Sequence, residues 1–432
     1  MVINIVYKYS SDEEYAIDED YITCSFDDYR YTFWKEKLEL LPKFPSIEAI
    51  DLLMISLAVY AADRIILRKE ALDGWERSIH LHLPVLNIDL MESNKQLLKQ
   101  ITNFLTGDNW EFTFRERELT LEESMRRVQM TQRRIDTLDI NKICMFSGGL
   151  DSFIGAIDLL EEKGNDIIFV SHYGGGKGTL EYQKVLKQEL VNKYSISENH
   201  FFSFYAAPLG GKEDTMRSRS FMFFSHAIAI ASCFDRRINL FIPENGYISL
   251  NIPLTFSRIG SSSTRTTHPH YLKLFQQLID NLNLKVTFIN PYQFKTKGEM
   301  IAECKNKQFL IDNIVNTMSC SHPDLGRMRG ESETKHCGTC FPCVIRRAAI
   351  KSAGIEDMTT YFDSNFSSGP TARMNFNSYL LGLEKFDAKK AFLDIQMSGP
   401  IDSNVELYES LLIRGMAELE GVLIDYYEDN KI

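Results

Sequence analysis

Short apolar runs alternate with amphipathic stretches through the middle of the chain. Residues 143–146 form an apolar run that ends in Ser-Gly-Gly, and a segment with helical periodicity follows at 153–160. Similar runs recur at 167–171, 201–205, 240–243 and 286–290, with a buried-helix pattern at 221–233. Runs of this length separated by helical patterns predict repeated βα units. We therefore expect an α/β fold, with a doubly wound, mostly parallel sheet covered on both faces.

The first 135 residues have a different pattern. Residues 2–7 and 29–34 are predicted strands, Ser46 caps a predicted apolar helix that extends towards Arg68, and residues 110–114 alternate like a half-buried strand. All three tryptophans lie in this part, which predicts a core of its own. Both a structural or oligomerising role and a docking surface for a protein partner remain open for it.

Two further segments complete the domain prediction. Residues 116–134 mix both charges closely and predict a solvated helical connector. Residues 405–427 have helical periodicity, with one apolar side formed by Leu407, Leu411, Leu412, Met416, Leu419 and Leu423. The predicted domains are an N-terminal α+β accessory domain at 1–135, the α/β domain at 136–358 and a helical C-terminal region at 359–432.

Composition and charge narrow the classes of partner and location. The formal net charge of −11 argues against a protein that binds a nucleic-acid backbone. The most apolar stretch, 47–62, contains Glu48 and Asp51 and is shorter than a membrane span, so no membrane partner is expected. Met1 is not followed by a basic leader, and four of the eight cysteines are clustered. A reducing cytoplasm is therefore the predicted location.

A glycine turn between the first predicted strand and helix has the chemistry of an anion site. Its residues are Ser147, Gly148, Gly149, Leu150, Asp151 and Ser152. Glycines let the backbone approach a phosphate closely, and a helix N-terminus supplies free N–H groups. The two serine hydroxyls add donors, and Asp151, expected at an exposed helix start, is the natural ligand for Mg²⁺.

A cysteine cluster near residue 330 predicts a metal site. Cys320, Cys337, Cys340 and Cys343 have the spacing C-x16-C-x2-C-x2-C. Four thiolates suit tetrahedral Zn²⁺, and because four protein ligands leave no open position, the predicted zinc is structural. The predicted zinc module covers about 317–347.

These two motifs together resemble a known family. Ser-Gly-Gly-x-Asp-Ser is the loop of the PP-loop ATP pyrophosphatases, which cleave ATP between the α- and β-phosphates. With the cysteine cluster, residues 143–355 resemble the 7-cyano-7-deazaguanine synthase (QueC) family. Tyr173-Gly174, Arg219, Thr296-Lys297-Gly-Glu and Thr317-x-Ser319-Cys320 resemble further segments of that family. The resemblance implies a PP-loop, adenine nucleotide α-hydrolase-like fold that uses ATP, Mg²⁺ and structural Zn²⁺.

The resemblance also implies roles for particular residues. ATP would lie against Ser147, Gly148, Gly149, Leu150, Asp151, Ser152, Ser171, His172 and Tyr173. The residues implied in catalysis are Asp151, Ser152, Arg219 and Lys297. For His172 a strand-end structural role is favoured over catalysis, and Arg219 and Lys297 could instead be surface charges. Glu244, Asn245 and Arg265 could be ligand contacts or ordinary turn residues.

Departures from the family shape the functional prediction. The family's Gly-Tyr-Pro-Asp-Cys-Arg segment is absent, and Glu244-Asn245-Gly246 and residues 261–265 occupy the corresponding region. The enlarged chain resembles QatC of bacterial anti-phage defence operons. This resemblance predicts a carboxylate–amine ligase that adenylates 7-carboxy-7-deazaguanine, or a close analogue, and transfers it to an amine of a partner protein from the same operon. The alternatives are an ordinary synthase using ammonia, a PP-loop tRNA-modifying enzyme and a nucleotide-binding scaffold.

Overall fold

The structure is a computed structural model that describes residues 2–429 apart from 10–12, 27–28, 133–136, 163–165, 175–176, 255–264, 329 and 331–332. The strands are β1 (Val2–Lys8), β2 (Tyr21–Ser25), β3 (Tyr29–Tyr31), β4 (Ser78–Val85), β5 (Asn109–Glu116), β6 (Lys142–Met145), β7 (Ile167–Tyr173), β8 (Phe201–Pro208), β9 (Ile238–Phe241) and β10 (Val286–Ile289). They form two sheets with helices packed around them, which confirms the predicted α/β class.

The helices connect and cover these strands. They are α1 (Ile47–Ile65), α2 (Ile88–Thr106), α3 (Leu121–Gln132), α4 (Leu150–Glu161), α5 (Lys177–Tyr194), α6 (Arg219–Ala231), α7 (Gly246–Leu250), α8 (Pro269–Asn281), α9 (Lys297–Glu303), α10 (Lys307–Asn313), α11 (Leu325–Met328), α12 (Phe341–Ser352), α13 (Pro370–Lys385), α14 (Ala391–Ser398) and α15 (Val405–Asp429). None of the helices in the described part of the chain combines the length and apolar character that crossing a bilayer requires.

The larger sheet has the strand order β10-β9-β6-β7-β8-β3. Its first five strands are parallel, and β3 pairs antiparallel with β8 at the edge. The chain leaves β6 towards β7 and β8 on one side and later returns to β9 and β10 on the other. In an open parallel sheet of this kind, ligands bind at the carboxyl ends of the strands where the order reverses. That point lies between β6 and β9.

The smaller sheet is also parallel, with the order β2-β1-β4-β5. Helix α1 begins after Ser46, whose hydroxyl accepts a hydrogen bond from Ala49 N, as the sequence predicts. Residues 49–63 of α1 are all buried, so this helix has no solvated face. It contacts the smaller sheet, where Tyr7 Oη donates to Ala58 O at 3.0 Å, and it packs against α6 of the larger sheet.

The prediction of a separate core in the first 135 residues is wrong. One buried apolar cluster extends from Ile5 to Val286 and includes residues of both sheets. The physical reason is that α1 is apolar all round and packs against both sheets, while β3 joins the larger one. The predicted strand at 29–34 is also shorter, because β3 ends at Tyr31 and a 3₁₀ turn, Phe33–Lys35, follows it. The predicted domain boundaries stay predictions.

The long C-terminal helix is present as α15, and one residue of its predicted apolar side is wrong. Leu407 is 49% exposed, whereas the neighbouring Tyr408 is buried. The buried apolar side chains follow helical spacing from residue 408 and are Tyr408, Leu411, Leu412, Met416, Leu419, Val422 and Leu423. All of these except Val422 form a cluster of their own with residues of α7, α12 and α13. The predicted connector helix is α3, in which only Glu123 is buried.

Candidate functional site

The glycine turn joins β6 to α4 at the switch point of the larger sheet. Gly148 has a φ of +84°, and a Cβ there would lie 2.9 Å from Gln183 Cγ, so the position requires glycine. Ser147 Oγ donates to Ser152 Oγ at 3.1 Å, and Ser152 Oγ donates to Gly149 O at 2.9 Å. These bonds fix the turn from within. Ser147 is exposed at its top, so the turn can be reached by an anionic ligand.

The segment that precedes the first clustered cysteine lies directly on this turn. Met318 N donates to Gly148 O at 2.8 Å, and Leu150 N donates to Ser319 Oγ at 3.4 Å. The two bonds place residues 318–319 across the start of α4. The conformation of the turn therefore depends on a segment that is anchored next to Cys320.

Asp151 is buried, with 6% of its surface exposed, so the prediction of an exposed helix start is wrong for this side chain. Its Oδ1 lies 2.9 Å from Lys297 Nζ. Its Oδ2 accepts hydrogen bonds from Asn245 N at 3.1 Å and from Asn245 Nδ2 at 2.7 Å. The reason for the burial is topological, because the segments after β9 and before α9 converge on the N-terminus of α4.

A second carboxyl group shares this environment. Asn245 Nδ2 also lies 3.4 Å from Glu244 Oε1. Burial and the negative charge of Asp151 raise the pKa of Glu244 well above its ordinary value. Burial opposes ionisation of Asp151 as well, but Lys297 and its hydrogen-bond donors hold the pKa of Asp151 below the ordinary value. Asp151 is therefore the member of the pair that ionises more readily, and it is the one that lies against Lys297 Nζ.

The other predicted residues of the site lie at the end of β7. Ser171 Oγ donates to Phe146 O at 2.7 Å, which ties β7 to the end of β6. His172 is buried; its Nε2 donates to Ala206 O at 3.0 Å, while its Nδ1 accepts from Arg219 Nε at 3.2 Å. Burial and Arg219 keep the pKa of His172 well below its ordinary value, so the imidazole is neutral. Both of its nitrogens are engaged within the fold.

Arg219 and Lys297 lie on different sides of the glycine turn. Arg219 begins α6 beside the end of β7, and it also contacts His172 O at 3.4 Å. Tyr173 follows there, packed against Tyr205 with a centroid distance of 5.3 Å. Lys297 is only 4% exposed and pairs with Asp151, so it is not a surface charge. The two cations therefore flank the nucleotide crevice predicted for this sheet.

Arg265 belongs to a different part of the fold. Its Nη1 donates to Phe104 O at 2.9 Å at the end of α2, and its guanidinium lies over the Phe104 ring. Residues 261–264, which the sequence places in the region of the missing family segment, lie outside the described residues. By contrast Glu244 and Asn245, which the sequence left open as turn residues, lie beside Asp151.

The four clustered cysteines converge as predicted. Their Sγ atoms all lie within 4.8 Å of one another, and the pairs Cys320–Cys340 and Cys337–Cys343 are 3.9 Å apart. A tetrahedral Zn²⁺ with Zn–S bonds of about 2.3 Å requires sulfurs about 3.8 Å apart, so the donor set fits zinc. No other group of three or more possible ligands converges within the described ranges.

The surroundings of the cysteines also suit thiolate ligands. Cys337 N donates to Cys320 Sγ at 3.2 Å, and Cys340 N donates to Cys337 Sγ at 3.3 Å. Such bonds orient and stabilise thiolates around a metal. The turn between them needs a glycine, because Gly338 has a φ of +86° and a Cβ there would lie 2.0 Å from Asp363 O. With four sulfur donors, a bound metal has no open position for water.

Comparison with known proteins supports a QueC-like relationship for half of the chain. Over 245 residues it is 25% identical to the 7-cyano-7-deazaguanine synthase of Rickettsia bellii, covering 51% of this chain and 97% of that protein. The enzyme of Rickettsia canadensis is 24% identical over 236 residues, 50% of this chain and 97% of the relative. The 7-cyano-7-deazaguanine synthase of Brucella ovis is 31% identical over 90 residues, which are 21% of this chain and 34% of that protein. No protein-family model and no solved structure matches the chain.

Proposed function

We propose that the chain is a PP-loop ATP-dependent enzyme that adenylates the carboxylate of 7-carboxy-7-deazaguanine, or a close analogue, and passes it to an amine. The observation that carries this proposal is the complete Ser-Gly-Gly-Leu-Asp-Ser turn at the switch point, with Asp151, Glu244 and Lys297 gathered beside it. The similarity of the chain to 7-cyano-7-deazaguanine synthases supports the proposal of a deazaguanine substrate.

Adenylation converts a poor electrophile into a reactive one, because pyrophosphate is a good leaving group. The turn from Ser147 to Ser152 meets the β- and γ-phosphates with backbone N–H groups at the N-terminus of α4. The serine hydroxyls can rotate from their internal acceptors towards a phosphate oxygen. The backbone of the turn is held in place before ATP binds, by the bonds within the turn and by Met318 N on Gly148 O. Fixed donors of this kind stabilise the charge that develops on a leaving group without reorganising.

The carboxyl pair of Asp151 and Glu244 has the chemistry of a Mg²⁺ site. Hard divalent cations prefer carboxylate oxygens, and a cation also favours ionisation of a carboxyl group whose pKa is raised. Asp151 and Glu244 would hold the ion, and the ion would supply positive charge to neutralise the departing pyrophosphate. In the structure the role of counter-ion to Asp151 is filled by Lys297 at 2.9 Å. With a cation bound to the carboxylates, Lys297 would be available to meet a phosphate or the substrate carboxylate.

A protein amine is the proposed acceptor, from a partner encoded in the same operon in an anti-phage defence system. The absence of the Gly-Tyr-Pro-Asp-Cys-Arg segment supports a reaction that stops at the amide. The accessory part of the chain also lies beside the crevice, because Thr32 N donates to Tyr205 O at 3.1 Å and Tyr205 N donates to Thr32 Oγ1 at 2.9 Å. A surface next to β8 suits a protein acceptor, whereas ammonia needs no docking surface.

The acceptor can be identified by intact-mass spectrometry of candidate partner proteins incubated with the enzyme, ATP and the deazaguanine acid. We expect one partner to gain the mass of the acid less one water, with ATP required. Boiled enzyme and a reaction without the acid serve as controls. Efficient formation of free 7-cyano-7-deazaguanine from ammonia, with no mass change on any partner, would instead establish the ordinary synthase reaction.

A further inference from the structure

Helix α15 packs against both of the segments whose side chains contact Asp151. One of these segments is α7, which begins after Asn245, and the other is α9, which begins with Lys297. Each supplies one of the polar partners of the Asp151 carboxylate. The contacts of α15 with α7 and α9 lie on one face of α15, at Leu411, Arg414, Gly415 and Glu418.

The contact with α9 is polar and partly buried. Glu418 accepts a hydrogen bond from the Thr296 hydroxyl and another from Gly298 N at 3.3 Å. Thr296 is fully buried, and its Oγ1 accepts from Glu299 N at 3.1 Å as the N-cap of α9. The hydroxyl proton therefore needs an acceptor elsewhere, because a buried donor without one is costly. Glu418 is that acceptor. Its two donors, Thr296 Oγ1 and Gly298 N, belong to the residues immediately before and after Lys297.

A second residue of the same face strengthens the hold on α9. Arg414 Nε donates to Glu299 Oε1 at 2.6 Å, and its Nη2 donates to Phe294 O at 2.8 Å. Glu299 in turn accepts from Thr296 N at 2.9 Å, which completes the capping box of α9. The first turn of α9 is thus fixed by two charged side chains of α15 that lie four residues apart.

The contact with α7 is one of close packing. A Cβ at Gly415 would lie 2.2 Å from Tyr247 Cδ2, and a Cβ at Gly246 would lie 2.6 Å from Leu411 Cδ2. Tyr247 Oη also lies 3.2 Å from Met416 Sδ. The absence of side chains at the two glycines lets α15 approach α7 directly behind Asn245. A shift of α15 would therefore move both partners of Asp151.

We propose that α15 is a positioning element of the Asp151 site, and that Glu418 sets the position of Lys297 through the first turn of α9. The expected effect on the reaction rate rests on the proposed function, whereas the positioning of α9 by Glu418 does not. Glu418 touches neither the glycine turn nor Asp151 in any of its hydrogen bonds within the described residues. Its removal should therefore change the rate of the chemical step more than it changes the binding of ATP.

The test compares Glu418→Ala and Glu418→Gln with Glu420→Ala, an exposed glutamate on the same helix. In ATP–pyrophosphate exchange, Glu418→Ala should lower kcat about tenfold to a hundredfold with the KM for ATP nearly unchanged, because small displacements of a catalytic group have effects of that size. Glu418→Gln keeps an oxygen acceptor for the Thr296 hydroxyl and should recover most of kcat. Glu420→Ala should behave as the unchanged protein.

Hydrogen exchange provides a readout that does not depend on activity. Backbone amides of residues 297–303 should exchange faster in Glu418→Ala than in Glu420→Ala, since Gly298 N loses its acceptor. If the unchanged protein shows no pyrophosphate exchange, the proposed function is wrong, and the amide exchange still decides the inference. Unaltered amide exchange in Glu418→Ala, or an unaltered kcat in an active enzyme, would overturn the positioning role.

Discussion

Asp151→Asn is expected to lower ATP–pyrophosphate exchange by about a hundredfold or more, the loss typical of a group that meets transition-state charge. Asparagine keeps the shape of aspartate and can still accept one hydrogen bond, but it cannot hold a cation on the leaving phosphates. The effect should appear in kcat, measured at saturating ATP, because the glycine turn and its serine hydroxyls remain.

The fold should survive this change for a specific reason. Removing one partner of a buried ion pair ordinarily costs about 3–5 kcal/mol, because the other charge is left unpaired. Here Glu244 lies beside Asp151, and its raised pKa is due in part to the Asp151 charge. Without that charge Glu244 ionises more readily and pairs with Lys297. A thermal melt close to that of the unchanged protein is therefore expected.

A matched control is Glu162→Gln, which alters an exposed carboxylate just after α4 that pairs with Lys305. It should leave both exchange and melting temperature unchanged. If Asp151→Asn retained normal exchange, Asp151 would not hold the catalytic cation. If it lost exchange only because it unfolded, the compensating role assigned to Glu244 would be wrong.

Cys340→Ser is expected to remove the metal and to lower the free energy of unfolding by about 3 kcal/mol or more, since structural zinc contributes directly to folding. Metal analysis should find about one zinc per chain in the unchanged protein and much less in the variant. ATP binding should weaken as well, because the segment anchored by Cys320 donates a hydrogen bond from Met318 N to Gly148 O.

Cys233→Ala tests whether these effects belong to the cluster or to any buried thiol. Cys233 is fully buried but lies outside the cluster, and its removal deletes a single small group from the apolar core. The zinc content should stay at one per chain, with a loss of about 1 kcal/mol from the small cavity. A Cys340→Ser protein that remained fully stable without metal would exclude a structural zinc site.

The sequence predicts well those features that depend on neighbouring residues. The strand, glycine turn and helix around Gly148 follow from a short apolar run and local backbone demands, and all are present in the structure. The spacing of the cysteines predicts that their sulfur atoms converge, because three of the four are close together in the sequence, and the structure confirms it. Strand β4 has no counterpart among the predicted strands, because alternate positions carry His80, His82 and Pro84; in the structure His82 is nevertheless buried.

The features that sequence reasoning missed depend on strand order. Asp151 is buried because Asn245 follows β9 and Lys297 begins α9, and only the pairing of β9 with β6 brings them to Asp151. Glu244 gave one usable signal, an acidic residue just beyond a buried strand. That Glu244 lies beside Asp151 can be recognised only once β9 is known to pair with β6. Likewise the shared core could not be inferred until α1 was seen to contact both sheets.

ATP–pyrophosphate exchange, measured with and without 7-carboxy-7-deazaguanine, separates the candidate functions in one experiment. We expect rapid exchange that requires the deazaguanine acid and Mg²⁺ and that is lost in Asp151→Asn. Exchange that requires tRNA instead would identify a tRNA-modifying enzyme. Nucleotide binding without exchange under any condition would identify a scaffold, and either result would be incompatible with adenylation of the deazaguanine carboxylate.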